Sequence, residues 1–444
     1  MRKISKARFE ALSYARMPMV KILSDEVDWY SSNNNSILGV ILRDRTDDDF
    51  VAVVLGRDEA GVFRWIDGKA SIVSIDAARK QIIETILQHS KGGANEFPQG
   101  VITRKKNAIF EQVVKEDAML EDYKLLSESE YFSPAKELVQ EIAYSFEDPD
   151  GNYIQQFQSD GFNARMWELY LYAFFHEMNF EIKRDFNAPD YVVEKVGQRV
   201  CVEAVTVNPS QANFDEPEPK DNEAIAELLK DYMPIKFGGP LYDKLKKKYW
   251  EKPHVAGNPL VLAIHDYHQK DSMMWSRKGL EAYLYGAVRT SEFSPEAGLV
   301  ENVELINEHR WKGKVIPSGF YTQPDSEHVS AVIHSNQSTI GKFLRMGYLA
   351  EFGRQDLNIR FVGQAIYGNN GIQVDFDSSI DAEGYEEYWK NSVTIYHNPN
   401  ALHPLELDLF PGVSQVWFED GKFESIKPAF YPVYGRTYYR EKEV

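Results

Sequence analysis

Two periods of apolar residues alternate along this chain. Between 38 and 67, three apolar, β-branched runs, LGVILRD (38–44), DFVAVVLGRD (49–58) and VFRWID (62–67), are separated by turn-rich pieces at 45–48 and 58–61, which predicts a β-meander. Ile75, Ala78, Ile82, Ile83 and Ile86 then recur at helical spacing and predict a helix over 75–89. Residues 1–95 therefore read as a small α+β module with a structural or docking role and no catalytic constellation. A Gly/Pro/Asn-containing linker (92–101) leads to two predicted helices, 105–115 and 133–146. The second opens with Ser133 as cap and Pro134 at the first helical position. The DPDG turn at 148–151 marks a boundary, leaving 96–150 as a helical linker region.

From 152 to 268 the pattern predicts a helix (162–178), strands at 180–185, 190–195 and 199–207 with a turn at Gly197, a polar loop (208–222), helical segments (222–250) and an apolar strand, PLVLAIHDYH (259–268). The loop, PSQANFDEPEPKDNE, is Pro-rich and acidic and is expected to be mobile or to act as a flap. Further on, 275–287 reads as a helix, 328–336 as a buried strand, and Ser338 as the cap of a helix reaching Tyr348. Segments 357–368 and 392–398 read as strands, and 414–426 as a hairpin turning at Asp420–Gly421. The resulting division is an α+β module (1–95), a linker (96–150), a core (151–350) and a β-rich C-terminal region (351–444), which either extends the core sheet or stands alone.

Composition narrows the class. The chain has 444 residues, 43% hydrophobic and 27% charged, which is ordinary for a globular protein with room for more than one domain. No apolar run approaches the ~20 residues a membrane helix needs, and the basic N-terminus is not followed by an apolar segment, so no membrane span or secretory signal is expected. A single cysteine, Cys201, excludes an internal disulfide framework and fits a cytoplasmic location. The net charge of −18 argues against bulk electrostatic attraction to nucleic acid, yet leaves room for a local basic groove.

Three acids in 161–209 carry the candidate chemistry. Glu168 lies within the predicted helix, Asp190 follows Pro189 where the hairpin's first strand begins, and Glu203 is in the middle of its second strand. Alternation on that strand puts Glu203 on one face with Cys201, Val205 and Val207. A carboxylate among apolar neighbours needs a partner or a metal. Asp190 is able to approach it across the hairpin. The plain alternatives are that Asp190 is a turn residue, Glu203 pairs with Arg199 or Lys195, and Glu168 faces solvent.

This order, helix then three strands, helix and strand, with Pro-Asp and a later Glu, resembles the core of the PD-(D/E)xK nuclease superfamily. The resemblance covers about a quarter of the chain. It implies an α/β fold with a restriction-endonuclease-like mixed sheet, and a Mg²⁺- or Mn²⁺-dependent endonuclease acting on DNA, in a setting such as bacterial antiviral defence. Asp190 and Glu203 would hold the metal, and Glu168 would complete the catalytic set. The motif lysine is missing, because Val205 stands where the family carries it. Some members place that lysine elsewhere, and Lys183, Lys195 and the run Lys244, Lys246, Lys247 and Lys248 are candidates. Lys244, Lys247 and Lys248, read as one helix, also offer backbone-phosphate contacts. The alternative is a catalytically inactive nuclease fold that binds nucleic acid or a partner protein. A homodimer or partner contact through the N-terminal module is a further expectation.

Other motifs weigh less. The stretch SNQSTIGKFLRMG lacks the Walker pattern, with Asn336 and Phe343 at its key positions, but Lys342 and Arg345 on the following helix are placed to receive a single phosphate. His397 and His403 lack the spacing of a helical zinc pair. His265, Asp266 and His268 stand at the end of an apolar strand, where a site would open. Cys201 reads as a small core residue.

Overall fold

The computed structural model describes residues 1–100, 106–148, 151–210, 216–294, 298–368 and 372–442. The chain is mixed α/β, organised on an eight-stranded sheet. From one edge the order is Lys422–Ile426, Ser414–Glu419, Thr394–His397, Ala331–His334, Leu260–Asp266, Gln198–Val207, Tyr191–Lys195 and Glu181–Lys183. The last three strands form an antiparallel meander, while Gln198–Val207, Leu260–Asp266 and Ala331–His334 run parallel. The hairpin between Tyr191–Lys195 and Gln198–Val207 turns at Val196 and Gly197, both with positive φ (51° and 78°), the two-residue turn that matches strand twist.

Each face of this sheet is covered. On one lies the helix Phe162–Glu177, apolar on nearly every side and accordingly buried all round. Trp167 Nε1 donates to the Ala263 carbonyl at 2.9 Å and so fixes the helix over the parallel strands. The helices Ser133–Ser145 and Ile340–Leu349 pack outside it in the same core. The other face is covered by Met233–Leu245 and Arg277–Tyr285. Asn222–Glu227, a π turn at Leu228–Tyr232 and Met233–Leu245 together make the crossover between the parallel strands Gln198–Val207 and Leu260–Asp266.

The N-terminal module is a five-stranded antiparallel sheet, Arg2–Ile4, Ser24–Ser31, Ile37–Asp44, Phe50–Arg57 and Phe63–Ile72, with the helix Ile75–Ser90 on one face. Leu38, Val40 and Leu42 on its other face join the main core, so the module is packed onto the rest of the chain.

Several expectations are corrected. The described part of the predicted helix at 105–115 is turn and loop. Gln158, fully buried, supplies its backbone partners instead: Val113 N donates to Gln158 Oε1, and Gln158 Nε2 donates to the carbonyls of Ile109 and Glu111. Ser133 is the first residue of its helix, with Phe132 at the cap position making no side-chain bond, and Thr339 rather than Ser338 caps Ile340–Leu349. The C-terminal region does both things that the sequence left open. Thr394–His397, Ser414–Glu419 and Lys422–Ile426 extend the main sheet, while Gln373–Ser379, Leu357–Tyr367 and Phe430–Glu441 form a separate three-stranded sheet. Of the expected flap, 211–215 lie outside the described residues; the end that follows is tied down by Glu216, which accepts from Ser210 N at 2.8 Å and pairs with Lys236 at 2.9 Å. No helix among the described residues is long and apolar enough to cross a membrane.

Candidate active site

Asp190 immediately precedes Tyr191, which pairs with Val202 across the hairpin, so Asp190 falls opposite Glu203. Their contact is reciprocal. Asp190 N donates to Glu203 Oε2 at 3.3 Å, and Ala204 N donates to Asp190 Oδ2 at 2.7 Å. Among the described residues nothing donates to Asp190 Oδ1. Burial pushes the Asp190 carboxyl up to about 7, with the neighbouring carboxylates of Glu203 and then Glu168 adding to the shift.

Glu203 is 4% exposed and sits under the crossover helix. Lys244 Nζ, from the last turn of Met233–Leu245, donates to Glu203 Oε1, and Tyr249 Oη donates to the same oxygen at 2.6 Å. Neither pairing expected for Glu203 occurs. Arg199 binds Glu194 at 2.7 Å, and Lys195 Nζ donates to the Leu409 carbonyl. Lys183, the other candidate lysine, pairs with Glu181. Of the lysines singled out, Lys244 alone meets the acids.

Glu168 is buried rather than solvated, and its carboxylate neighbours the pair but is held by Arg165. Arg165 Nη1 donates to both of its oxygens at 2.7 Å. Burial raises its pKa, and Arg165 offsets part of that. The helix is anchored to the hairpin at this point, since Tyr191 Oη donates to the Glu168 carbonyl at 2.6 Å. Arg184 completes the surroundings, donating from Nη1 to the Asp190 carbonyl at 3.2 Å while its guanidinium lies 4.3 Å from the Phe146 ring.

The lysine run does not form one helical face. The helix ends at Leu245, Lys246 pairs with Asp243 at 2.9 Å, and Lys248 takes a left-handed conformation 3.7 Å from Asp325. Lys247 is exposed, so of the expected phosphate contacts Lys244 is engaged by Glu203 and Lys248 faces an acid.

Elsewhere, Lys342 and Arg345 are fully buried and share Glu387 at 2.8 and 2.7 Å, which leaves neither free for a phosphate. His397 Nε2 lies 2.9 Å from Gln415 Oε1, and His403 is exposed. Cys201 is completely buried, and burial pushes its thiol up to about 11, as befits a packing residue. Among the described residues, the group of three ligand types with atoms all within 4.8 Å is Asp325, Glu327 and His328, partly exposed around the turn Ser326–His328. The trio Glu168, Asp190 and Glu203 is not so tightly gathered.

Tyr249 was not foreseen from sequence. It lies 46 residues from Glu203, and a tyrosine after a lysine run carries no periodic signal of its role. Comparison with protein-family models, curated proteins and solved structures finds no match for this chain.

Proposed function

We propose that the chain is a metal-dependent phosphodiester hydrolase acting on DNA, of the PD-(D/E)xK type, with Asp190 and Glu203 as its acidic pair and Lys244 in the place of the missing motif lysine. The observation that carries this reading is the convergence of a buried carboxylate, a half-buried one and one lysine at facing positions of a hairpin and its crossover helix. Val205, where the motif lysine is absent, lies on the face that Met233–Leu245 covers, and Lys244 comes down onto that face from above.

The donor set suits a hard divalent cation. Among the described residues no donor meets Asp190 Oδ1, the carboxylates of Asp190 and Glu203 are adjacent, and their mutual repulsion would be relieved by positive charge. Asp190 and Glu203 would hold Mg²⁺ or Mn²⁺, which would supply an activated water and offset charge on the phosphate. The protein's own groups do the rest. Ala204 N and Asp190 N fix the two carboxylates relative to one another. Tyr249 holds Glu203 in one rotamer, and Lys244, the ammonium that donates to Glu203, is placed to orient a water beside that carboxylate and to offset charge there. Arg165 neutralises Glu168, which makes Glu168 a positioning group for the helix rather than a ligand.

A second reading is favoured by one observation. Glu203 already accepts from Lys244, Tyr249 and Asp190 N, so the carboxylate is satisfied without a metal. On that reading the fold binds nucleic acid or a partner protein without cutting. The test is a cleavage panel with supercoiled plasmid, linear duplex, single-stranded DNA and RNA in Mg²⁺, Mn²⁺ or EDTA. Metal-dependent cutting of DNA that disappears in Asp190→Ala and Glu203→Ala supports hydrolysis. Cutting that persists in Glu203→Ala overturns the assignment.

A further inference from the structure

The N-terminal module and the main core meet around a cavity of about 520 Å³ that the acidic pair does not use. That size is ordinary for a small-molecule site. Its walls come from separate parts of the chain: the helix Lys6–Leu12 with the turn after it, the C-terminal end of Phe162–Glu177, the last turns of Ile340–Leu349, and the loop 385–390. Leu138, Met178, Met346, Leu349 and Trp389 give it an apolar side. Tyr14 also lines it, 6% exposed, with its ring 5.0 Å from that of His176. The Tyr14 hydroxyl has no hydrogen-bond partner among the described residues. A largely buried hydroxyl left open on a cavity calls for a group inside that cavity.

Charge gives the cavity a sign. Glu10, Glu177, Glu386 and Glu387 line it, and each is already engaged. Glu10 pairs with Arg16 at 2.6 Å and with Lys21 at 3.1 Å. Glu177 accepts from Trp389 N and Lys390 N at 2.7 and 2.9 Å, Glu386 accepts from Tyr388 Oη at 2.6 Å, and Glu387 holds Lys342 and Arg345. Lys6, Lys195 and Lys390 line the same cavity, and among the described residues none of them has a carboxylate within ion-pair distance. Lys6 is exposed, whereas Lys195 and Lys390 are half-buried. Lys195 Nζ uses one donor on the Leu409 carbonyl at 2.7 Å, and Lys390 Nζ lies 5.5 Å from the Tyr388 ring. Burial, and then the neighbouring Lys390, hold the Lys195 ammonium below the usual lysine pKa, as two close cations without a counter-anion do. Burial pushes the His176 imidazole down to about 3, so it adds no charge.

We propose that this cavity binds a small organic anion, a carboxylate or phosphate monoester on a compact apolar body. Lys195 and Lys390 take the anionic oxygens as point charges, each with donors beyond the contacts it already makes. The Tyr14 hydroxyl meets a further polar group of the ligand, and the apolar side receives its body. The site is separate from the acidic pair. Asp190 precedes the strand Tyr191–Lys195 and Lys195 ends it, so roughly 16 Å of strand divide them.

The test is calorimetric titration of the full chain in EDTA with naphthoate and, separately, naphthyl phosphate, beside the neutral naphthamide. The site predicts saturable binding of the anions, about tenfold or more tighter than the amide and weakened about tenfold or more by Lys390→Met. Tighter binding of naphthoate identifies a carboxylate as the headgroup, tighter binding of the ester identifies a phosphate, and equal binding shows that charge alone is read. If Lys390→Met does not fold, Tyr14→Phe, which keeps the ring, decides in its place, with an expected loss of about threefold. No saturable heat with either anion, an amide that binds as tightly as the anions, or binding indifferent to the variant that decides would overturn the proposal.

Discussion

Glu203 and Asp190 show how much of the candidate chemistry rests on single atoms. Tyr249 Oη donates to Glu203 from a buried position. Tyr249→Phe removes that donor and leaves the ring, so we expect a loss of about 1.5–3 kcal/mol in chemical denaturation, the usual range for a hydrogen bond to a charged group. Asp190 gives a prediction with a sign. Burial, with Glu203 and Glu168, raises its folded pKa to about 7 from the ordinary 3.8, so the folded state holds this proton more tightly than the unfolded chain. Its contribution to stability is full below the unfolded value and is lost as pH rises through 7. Asp190→Asn carries no charge at any pH, so it should gain on the native protein between pH 5 and pH 8 when melting temperatures are compared. An advantage that shrinks over that interval would contradict the assigned shift.

At the scale of elements, the hairpin was legible because its signals are local. Alternation, the Val196–Gly197 turn and the position of Glu203 among apolar residues all fall within twenty residues. The crossover helix was legible as a helix but not in its ending. Lys246–Lys248 read as its continuation, whereas Lys248 in the left-handed region carries the chain into the turn Tyr249–Glu251, and this brings Tyr249 back to Glu203. That return is a tertiary contact with no sequence period. The same limit hid Glu387, whose partners Lys342 and Arg345 resembled a phosphate site. Burial pushes the Glu387 carboxyl up, but Arg345 and Lys342 outweigh it and hold it down at about 2. Its stabilising share is therefore present above the ordinary glutamate value and lost as pH falls toward 2. Glu387→Gln leaves two buried cations facing a neutral amide and should cost about 3–5 kcal/mol in denaturant unfolding.

On the scale of the whole molecule, the division expected at residue 350 does not separate two units. Three strands beyond it, Thr394–His397, Ser414–Glu419 and Lys422–Ile426, complete the main sheet, and Ile395, Phe410 and Val413 lie in the main core. Sequence periodicity marked these segments as strands but held no information on which sheet they join. A chain ended at 350 would expose the edge of Ala331–His334, and we expect it to aggregate or lack a cooperative melting transition by circular dichroism. The main sheet also links the acidic pair to its lysine, because the parallel pairing of Gln198–Val207 with Leu260–Asp266 fixes the crossover that delivers Lys244. The measurement that tests this account most directly is the rate of Mg²⁺-dependent cleavage of plasmid DNA by the native protein and by Lys244→Ala, beside an EDTA control. The account predicts cutting by the native protein and a loss of about 10²-fold or more in the variant, the scale of one removed electrostatic donor. A Lys244→Ala protein that cuts at the native rate, or a native protein that cuts nothing in Mg²⁺ or Mn²⁺, would contradict it.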